Sequence, residues 1–289
     1  MSDFLISFLL GIIEGITEFL PVSSTAHLRI AESLMGISLE DGFWKSYSVV
    51  IQLGAILALP VYFRSRIVDF VTTFPRGIRG DRTIVTHPLS LTLIAFAVTA
   101  IPSYLLSKQI GENLESLSIM AWSLVIGGIV MWVVDALFRQ PTVERLDDMN
   151  LRQAIWIGAV QILSAIFPGT SRSMSTIAAG QVAGLSRSAA LEFSFFLSMP
   201  TMVGATGYDF LKTVRGSHGG GDDAAVAPVT MDAHAWIVLA IGFVTSFIVA
   251  LIVVAWFMRW VRARGFVPFA IYRIAAGLLL LVAVWQGWV

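Results

Sequence analysis

Residues 11–27 read GIIEGITEFLPVSSTAH, an apolar run that breaks at Pro21 and continues as a cluster of hydroxyl groups ending in a histidine. Two glutamates, Glu14 and Glu18, lie inside the apolar part, so the stretch is too polar at its centre to cross lipid as one helix. Non-helical backbone at membrane depth persists only where protein or a water-filled cavity surrounds it. The stretch 2–37 therefore predicts a re-entrant helix–loop–helix hairpin, with a proline-kinked spanning helix as the alternative.

A second stretch, GAVQILSAIFPGTSRSM at 158–174, repeats this pattern at an offset of 147 residues. The same offset carries Thr142 to the last residue, which predicts one membrane domain, 1–289, built from repeats at approximately 1–142 and 148–289. An odd number of spans between the copies would insert them in opposite orientations, the inverted-repeat plan of many transporters. The matched pairs are Gly11 with Gly158, Glu14 with Gln161, Pro21 with Pro168, and Ser24 with Ser171.

The composition places the chain in a membrane. Of its 289 residues 56% are hydrophobic and 13% charged, whereas a soluble domain carries about 25% charged residues. The formal net charge of zero gives no reason to expect nucleic acid, and the absence of cysteine excludes disulfides and thiolate chemistry. Besides the hairpins at 2–37 and 151–183, six apolar stretches are long enough to span a bilayer as helices. These predicted spans are 46–63, 87–107, 118–138, 187–211, 234–258 and 267–287.

The distribution of Lys and Arg between loops predicts the orientation. Alternate loops carry eleven and four of these residues, so the positive-inside rule assigns the first set to the cytoplasm and both termini to the outside. The alternation holds only if 151–183 enters and leaves by the same face. The eleven are Arg64, Arg66, Arg76, Arg79, Arg82, Arg139, Arg145, Arg152, Arg259, Arg262 and Arg264, and the four are Lys45, Lys108, Lys212 and Arg215.

Glu14 and Glu18 are four residues apart and share one helix face. Two neighbouring carboxylates repel each other, and a divalent cation relieves this, since Mg²⁺ is commonly held by carboxylates together with substrate phosphate. This predicts a metal site. A proton shared between the carboxyl groups, or neutralisation by Arg172, would explain the pair without metal.

Three hydroxyl residues, Ser23, Ser24 and Thr25, follow the first break and precede His27. If a helix starts near Ser23, Ser24 and His27 are neighbours on its surface. A hydroxyl beside an imidazole is the arrangement of an activated nucleophile. Ordinary helix capping and a structural histidine would explain the same residues without catalysis.

The second break places Arg172 among the hydroxyls of Ser171, Ser173 and Thr176. Free N–H groups at a helix start favour phosphate, and arginine adds a bidentate fork. Capping alone explains the serines but not a buried arginine, so an anion site is predicted here. It is not a Walker loop, because no GK[ST] follows.

Other charges lie outside these two breaks. Glu192 and Arg273 occur in later spans and are expected to pair with each other, away from the reacting groups. Asp135 is expected to be an interface or solvated residue.

Together these motifs resemble the bacterial undecaprenyl-diphosphatase family, also called bacitracin-resistance proteins, over essentially the whole chain. The family patterns are a glutamate-rich stretch followed by PVSSTGH, and PGxSRSGxT, which here runs from Pro168 to Thr176; the stretch FVPFAIYR at 266–273 is also similar to the family. Ala26 and Met174 stand where the family has glycine. Neither departure removes a functional group, but Met174 adds bulk beside Arg172.

The resemblance implies an all-α integral membrane protein of six transmembrane helices plus two re-entrant helical hairpins. It also implies dephosphorylation of undecaprenyl diphosphate, with a divalent cation, Mg²⁺ first and Ca²⁺ second. The location expected is the bacterial inner membrane, where the product is reused in peptidoglycan synthesis. The expected partners are the polyprenyl diphosphate and membrane lipid, with a homodimer as an allowed assembly.

These expectations assign roles to the residues of both breaks. Ser24 is the preferred nucleophile with His27 as its base, and direct attack by His27 is the second choice. The diphosphate would be held at Arg172, and the metal at Glu14 and Glu18, with Glu18 also counted as catalytic. The remaining residues expected to contact substrate are Ser23, Thr25, Ser171, Ser173 and Thr176.

Two other functions compete with hydrolysis. A polyprenyl-phosphate transporter or flippase would explain the inverted repeats and the arginine, but it gives Glu14, Glu18 and His27 no necessary task. A purely structural membrane subunit would leave every buried charge unexplained.

Overall fold

The computed structural model describes residues 2–37, 42–113, 116–215 and 232–287. The side chains of Lys45, Glu112 and 208–215 lie outside this description, so the predicted outer positions Lys45, Lys212 and Arg215 are not placed. The described part is helical and contains no strand, which confirms the all-α prediction. Its α-helices are α1 (Asp3–Thr17), α2 (Ser24–Leu34), α3 (Gly42–Tyr62), α4 (Arg64–Thr72), α5 (Pro88–Leu105), α6 (Ser107–Asn113), α7 (Leu117–Leu137), α8 (Leu151–Ile166), α9 (Arg172–Val182), α10 (Arg187–Arg215), α11 (Ala233–Arg264) and α12 (Val267–Trp285).

Five of these helices are long and apolar enough to cross a membrane: α3, α5, α7, α11 and α12. They correspond to five of the six predicted spans, and the protein is a multi-pass membrane protein. The sixth predicted span, 187–211, lies within α10, which is not among the five. The first half of α10 carries Glu192 and the buried hydroxyls of Ser194 and Ser198.

Both predicted interruptions are present. Residues 18–23 separate α1 from α2, and 167–171 separate α8 from α9. Proline lacks the N–H that a continuing helix would donate, and each break contains one, Pro21 or Pro168. In both cases the second helix packs against the first.

Small residues bring α1 against α11 and α8 against α5. A Cβ added to Gly11 would lie 2.8 Å from the carbonyl oxygen of Gly242, and one added to Gly158 would lie 2.5 Å from that of Ala95. Such residues let helix backbones approach closely in a membrane protein. Ala95 and Gly242 are separated by 147 positions, as are Gly11 and Gly158, so equivalent positions make equivalent contacts in the two halves.

The arginine-rich loops meet at one end of the helices. Arg66 donates hydrogen bonds of 3.0 Å to both Asp147 and Glu192. Burial raises the pKa of Asp147, but the hydrogen bonds and charges of Arg66 and Arg145 together outweigh it, and the pKa falls below its ordinary value. The predicted pairing of Glu192 with Arg273 is therefore wrong, because Arg66 of α4 pairs with Glu192 instead.

Of the two predicted settings for Asp135, interface or solvated, the solvated one is wrong, since the residue is only 1% exposed. Its two carboxylate oxygens accept a bidentate pair of hydrogen bonds from Arg187, at 2.7 and 2.9 Å. Gln181 and the backbone N–H of Phe266 also donate to it. These partners come from distant segments, so no local pattern around Asp135 indicated its burial.

Candidate active site

Helices α2 and α9, which follow the two breaks, are each capped at the N-terminus by a serine with a strained backbone. Ser23 has φ 74° and Ser171 has φ 70°, a region that residues with a side chain rarely adopt. Each serine Oγ accepts the N–H three residues on, from Ala26 and Met174 respectively. Strain of this kind costs about 1–3 kcal/mol per residue and is concentrated at functional sites. The matching pair of strained caps therefore marks the two breaks as a candidate site.

Arg273 of α12 ties the two breaks together and is fully buried. Its Nη1 donates to the carbonyl of Pro21, and its Nη2 donates to those of Gly169 and Ser123, each at 3.0 Å. No carboxylate of the described chain pairs with it. The sequence marked Arg273 only as a charge within a span, and nothing local indicated that its partners would be backbone carbonyls.

Two further contacts hold the second break in place. Ser173 Oγ donates a 3.0 Å hydrogen bond to the carbonyl of Leu20, within the first break. Gly169 has φ 90°, and an added Cβ would lie 2.5 Å from the carbonyl oxygen of Met120 in α7. Only glycine satisfies both the backbone angle and this close approach.

Glu18 connects the reactive groups of the two hairpins. Its Oε2 accepts a 2.6 Å hydrogen bond from Ser24 Oγ, and its Oε1 accepts a 2.7 Å hydrogen bond from Arg172 Nη2. Glu18 is buried, with 7% exposure, and hydrogen bonds to ionised groups are stronger than neutral ones. The structure thus brings together three of the four predicted catalytic residues.

The fourth, His27, does not contact Ser24 in the way its spacing suggested. His27 Nδ1 lies 2.7 Å from the carbonyl of Ser23, and Nε2 lies 2.6 Å from the hydroxyl of Tyr272. Because a carbonyl only accepts, Nδ1 carries a proton, and in the neutral imidazole Nε2 therefore accepts from the hydroxyl of Tyr272. In this arrangement the imidazole is held by Tyr272 of α12, and the carboxylate of Glu18, not His27, accepts the hydrogen bond of Ser24 Oγ. The role of His27 as the base of Ser24 stays a prediction that these contacts do not support.

Glu14 lies one helical turn before Glu18, with its side chain completely buried. Within the described chain, the carboxyl group of Glu18 is close enough to interact with it and to share a proton with it, and no other hydrogen-bond donor reaches either of its oxygens. A buried carboxylate without a donor or cation is unfavourable. The described residues contain no cluster of three or more His, Asp or Glu side chains. A cation beside Glu14 would therefore take further ligands from water or a phosphate.

The predicted substrate-binding hydroxyls are mostly engaged within the protein. Ser171 and Ser173 are 3.0 Å apart at their Oγ atoms. Thr176 Oγ1 is 2.7 Å from the hydroxyl of Ser194, which the sequence did not single out. Thr25 is half-buried at the start of α2. These contacts fix the shape of the breaks, while Arg172 keeps further N–H groups available for an anion.

The two departures from the motif pattern are packed into the core. Ala26 is fully buried in a cluster with Met120, Ala121 and Leu124. Met174 is 3% exposed, and a Cβ added to Gly127 would lie 2.8 Å from its terminal methyl. Met174 is therefore accommodated beside Gly127, and Ala26 packs among apolar side chains of α7.

Comparison with known proteins gives one consistent result. The family described as "Bacitracin resistance protein BacA" matches residues 7–279. The chain is 64% identical to the undecaprenyl-diphosphatase of Koribacter versatilis over 282 residues, which are 97% of this chain and 98% of that protein. It is 43% identical to a protein of the same name from Bradyrhizobium sp., with 99% of each chain covered. A third, from Caldanaerobacter subterraneus subsp. tengcongensis, is 39% identical over 97% of this chain and 96% of its own.

Proposed function

The chain belongs to the bacitracin resistance protein BacA family, and on that basis we propose that it hydrolyses undecaprenyl diphosphate to undecaprenyl phosphate and inorganic phosphate. The observation within the molecule that carries this proposal is the contact of Glu18 with both Ser24 and Arg172. It places a hydroxyl, a proton acceptor and an anion-binding group within one buried site. The product would return to cell-wall synthesis as the lipid carrier in a bacterial plasma membrane.

Ser24 is the proposed nucleophile. Its Oγ attacks the terminal phosphorus, its proton passes to Glu18 Oε2 at 2.6 Å, and the bond to the bridging oxygen breaks. Undecaprenyl phosphate leaves, and water then releases inorganic phosphate from the serine. A nucleophile and a base within hydrogen-bond reach are the usual signature of covalent catalysis.

Arg172 is the proposed diphosphate-binding residue. Phosphoryl transfer depends mainly on positioning and on stabilisation of charge at the phosphate oxygens. The guanidinium is positioned by Glu18 at 2.7 Å and is 13% exposed, so an anion can reach its other N–H groups. Ser23, Thr25, Ser171, Ser173 and Thr176 shape the two breaks around it.

A divalent cation is proposed at Glu14 and Glu18, Mg²⁺ first and Ca²⁺ second. The two buried oxygens of Glu14 without a donor fit such an ion, whereas those of Glu18 are already bonded to Ser24 and Arg172. Glu14 would therefore be the principal protein ligand. When bound, the cation would neutralise charge on phosphate oxygens.

The proposed architecture has six spans and two re-entrant hairpins, arranged as inverted repeats at approximately 1–142 and 148–289, with both termini outside the cytoplasm. The equivalent contacts Gly11–Gly242 and Gly158–Ala95 support the repeat. The strained caps Ser23 and Ser171 support equivalent breaks, although they are 148 rather than 147 residues apart. The first break, residues 18–23, is one residue longer than the second, residues 167–171.

The transporter alternative is not favoured. The related proteins are named as diphosphatases, and a transporter has no use for a serine held at 2.6 Å from a buried carboxylate. Inverted repeats alone do not distinguish the two functions.

Phosphate release by the purified protein tests the proposal. The protein should release inorganic phosphate from undecaprenyl diphosphate when Mg²⁺ is present and little phosphate when a chelator is added. Ser24→Ala should abolish this release. Separately, the mass of the same preparation in detergent tests whether the protein is a homodimer. Undiminished release by a folded Ser24→Ala protein would remove Ser24 as nucleophile, and no release by wild-type protein with any divalent cation would reject the hydrolase.

A further inference from the structure

A cleft separate from the candidate active site lies at the arginine-rich end of the molecule, where α7 and α11 end and α10 begins. Its volume is about 510 Å³, whereas about 10–15 Å³ suffices for one water molecule. Three arginines line it, Arg139, Arg187 and Arg262, with Glu144 as the single acid of the lining. The cleft is therefore spacious and cationic.

Two of these arginines have no neutralising partner in the part of the chain that the structure describes. Arg187 is held by the buried carboxylate of Asp135, which fixes its guanidinium at the wall of the cleft. Within the described residues, Arg139 and Arg262 make no ion pair and no side-chain hydrogen bond. Arginine forks bind phosphate with two parallel hydrogen bonds, so an anion of this kind matches the lining.

Other polar groups of the cleft also favour an anion. Ser186 caps α10 by accepting the N–H of Ala189 at 3.2 Å, and the hydroxyl residue Ser188 lies in the first turn of the helix and lines the cleft. The start of a long helix carries a partial positive charge.

The surroundings identify the source of the phosphate. Trp256 and Trp260 lie in the last turns of α11, and Arg264 stands 5.1 Å above the ring of Trp260. Tryptophans at helix ends mark the headgroup level of a bilayer. Phe138 lines the cleft and is 42% exposed, and its neighbour Leu137 is 72% exposed. This apolar wall suits acyl chains and has no use for a soluble anion.

We infer that this cleft binds the phosphate headgroup of an anionic bilayer phospholipid. Basic pockets between transmembrane helices are a recognised form of lipid-headgroup site. The inference is independent of the proposed hydrolysis, because none of these residues belongs to the two breaks.

Native mass spectrometry of the detergent-purified protein tests it, with phosphatidylglycerol and phosphatidylcholine supplied at equal concentration. The wild type should retain phosphatidylglycerol preferentially. The double variant Arg139→Gln with Arg262→Gln should bind it about tenfold more weakly or worse, since two charge-assisted contacts are lost. The control Arg64→Gln with Arg76→Gln removes the same charge from exposed positions outside the cleft and should bind like the wild type. Each single variant should retain phosphatidylglycerol at a level between those of the wild type and the double variant. Thermal melting in phosphatidylcholine alone checks that each variant is folded.

Several results would overturn the inference. Unchanged retention of phosphatidylglycerol by the folded double variant would contradict it. An equal loss of retention in the control double variant would also contradict it, because net charge alone would then explain the binding. Displacement of the lipid by millimolar inorganic phosphate would assign a soluble-anion site. Selective displacement by a polyprenyl monophosphate would assign the cleft to that lipid instead.

Discussion

Glu14 and Glu18 are the same residue type on the same helix face, yet their surroundings give them different tasks. Glu18 accepts hydrogen bonds from Ser24 and Arg172, whereas no donor of the described chain other than the carboxyl group of Glu18 reaches Glu14. A carboxylate that is fully bonded organises its neighbours, and a buried one that lacks donors is stable only with a proton or a cation. Mutation of the two residues should therefore give different kinetic defects.

Glu18→Gln should lose nearly all turnover at any Mg²⁺ concentration, because the amide cannot take the Ser24 proton and pairs poorly with Arg172. Glu14→Gln should require more Mg²⁺ and keep partial turnover when the ion is saturating, since one ligand is weakened. Phosphate release measured against Mg²⁺ concentration separates these outcomes. Glu32→Gln is the control, because Glu32 is buried nearby but already bonded to Arg29 and Ser48. Wild-type Mg²⁺ dependence in both glutamine variants would show that the metal lies elsewhere.

Arg172→Lys should reduce kcat/KM by about tenfold or more, because a lysine point charge lacks the bidentate fork that binds phosphate. The exposed Arg152→Lys, which has no ion pair within the described chain, should leave the rate unchanged. Steady-state hydrolysis of the lipid diphosphate by both variants provides the comparison. A rate near that of the wild type in folded Arg172→Lys would argue against direct phosphate binding.

Sequence spacing predicted which residues meet better than it predicted how they bond. Glu18, Ser24 and Arg172 were all selected from two short motifs, because ionisable groups inside apolar stretches are costly and therefore conspicuous. The orientation of His27 was not predictable, since it depends on Tyr272, 245 positions away. The role of Arg273 was hidden for a similar reason, because backbone carbonyls leave no signature in the sequence.

At the level of elements, the two breaks act as one unit. Arg273 bonds to a carbonyl in each break, and Ser173 joins the second break to the first. The positions of both breaks followed from Pro21 and Pro168, since proline ends the helical hydrogen bonding. Residues of both breaks were assigned to one diphosphate, so the breaks were expected to meet. The individual contacts that join them could not be predicted, because they depend on how α7 and α12 pack around the breaks.

Gly169→Ala tests how tightly the second break is held. Its positive φ alone should cost about 1–3 kcal/mol, and the clash with Met120 should add about 1–3 kcal/mol. Gly36 also has a positive φ, 71°, but an added Cβ there meets nothing within 4 Å. Gly36→Ala should therefore lower the apparent Tm less and preserve turnover, whereas Gly169→Ala should impair both. Equal effects in thermal melting and activity assays would mean that the Met120 contact does not restrict the break.

For the whole molecule, ion pairs join two of the arginine-rich segments, 64–86 and 139–152, and the cleft shared by Arg139 and Arg262 places the third beside them. Arg79 and Arg82 contact the segment at 147–149, and Arg66 joins it to α10. The loop counts that predicted orientation therefore correspond to one end of the structure. The sequence predicted this grouping because Lys and Arg are unevenly shared between loops, but the individual ion pairs were not foreseeable.

Cysteine labelling tests the sidedness. The chain has no cysteine, so Ile84→Cys and Gly111→Cys each introduce a single thiol at an exposed position. In intact cells a membrane-impermeant maleimide should label Gly111→Cys, near Lys108, but not Ile84→Cys until the membrane is opened. Labelling of both from outside, or the reverse pattern, would contradict the proposed topology.

The arrangement around Arg273 also has a consequence for product release. Glu18 pairs with Arg172, whereas among the described residues Arg273 bonds only to backbone carbonyls. The charge of Arg273 is therefore left to attract a negatively charged substrate to the breaks. A diphosphate carries more negative charge than the monophosphate left on the lipid, so hydrolysis itself weakens the attraction between the lipid and the site. The reaction would thereby favour departure of its own lipid product.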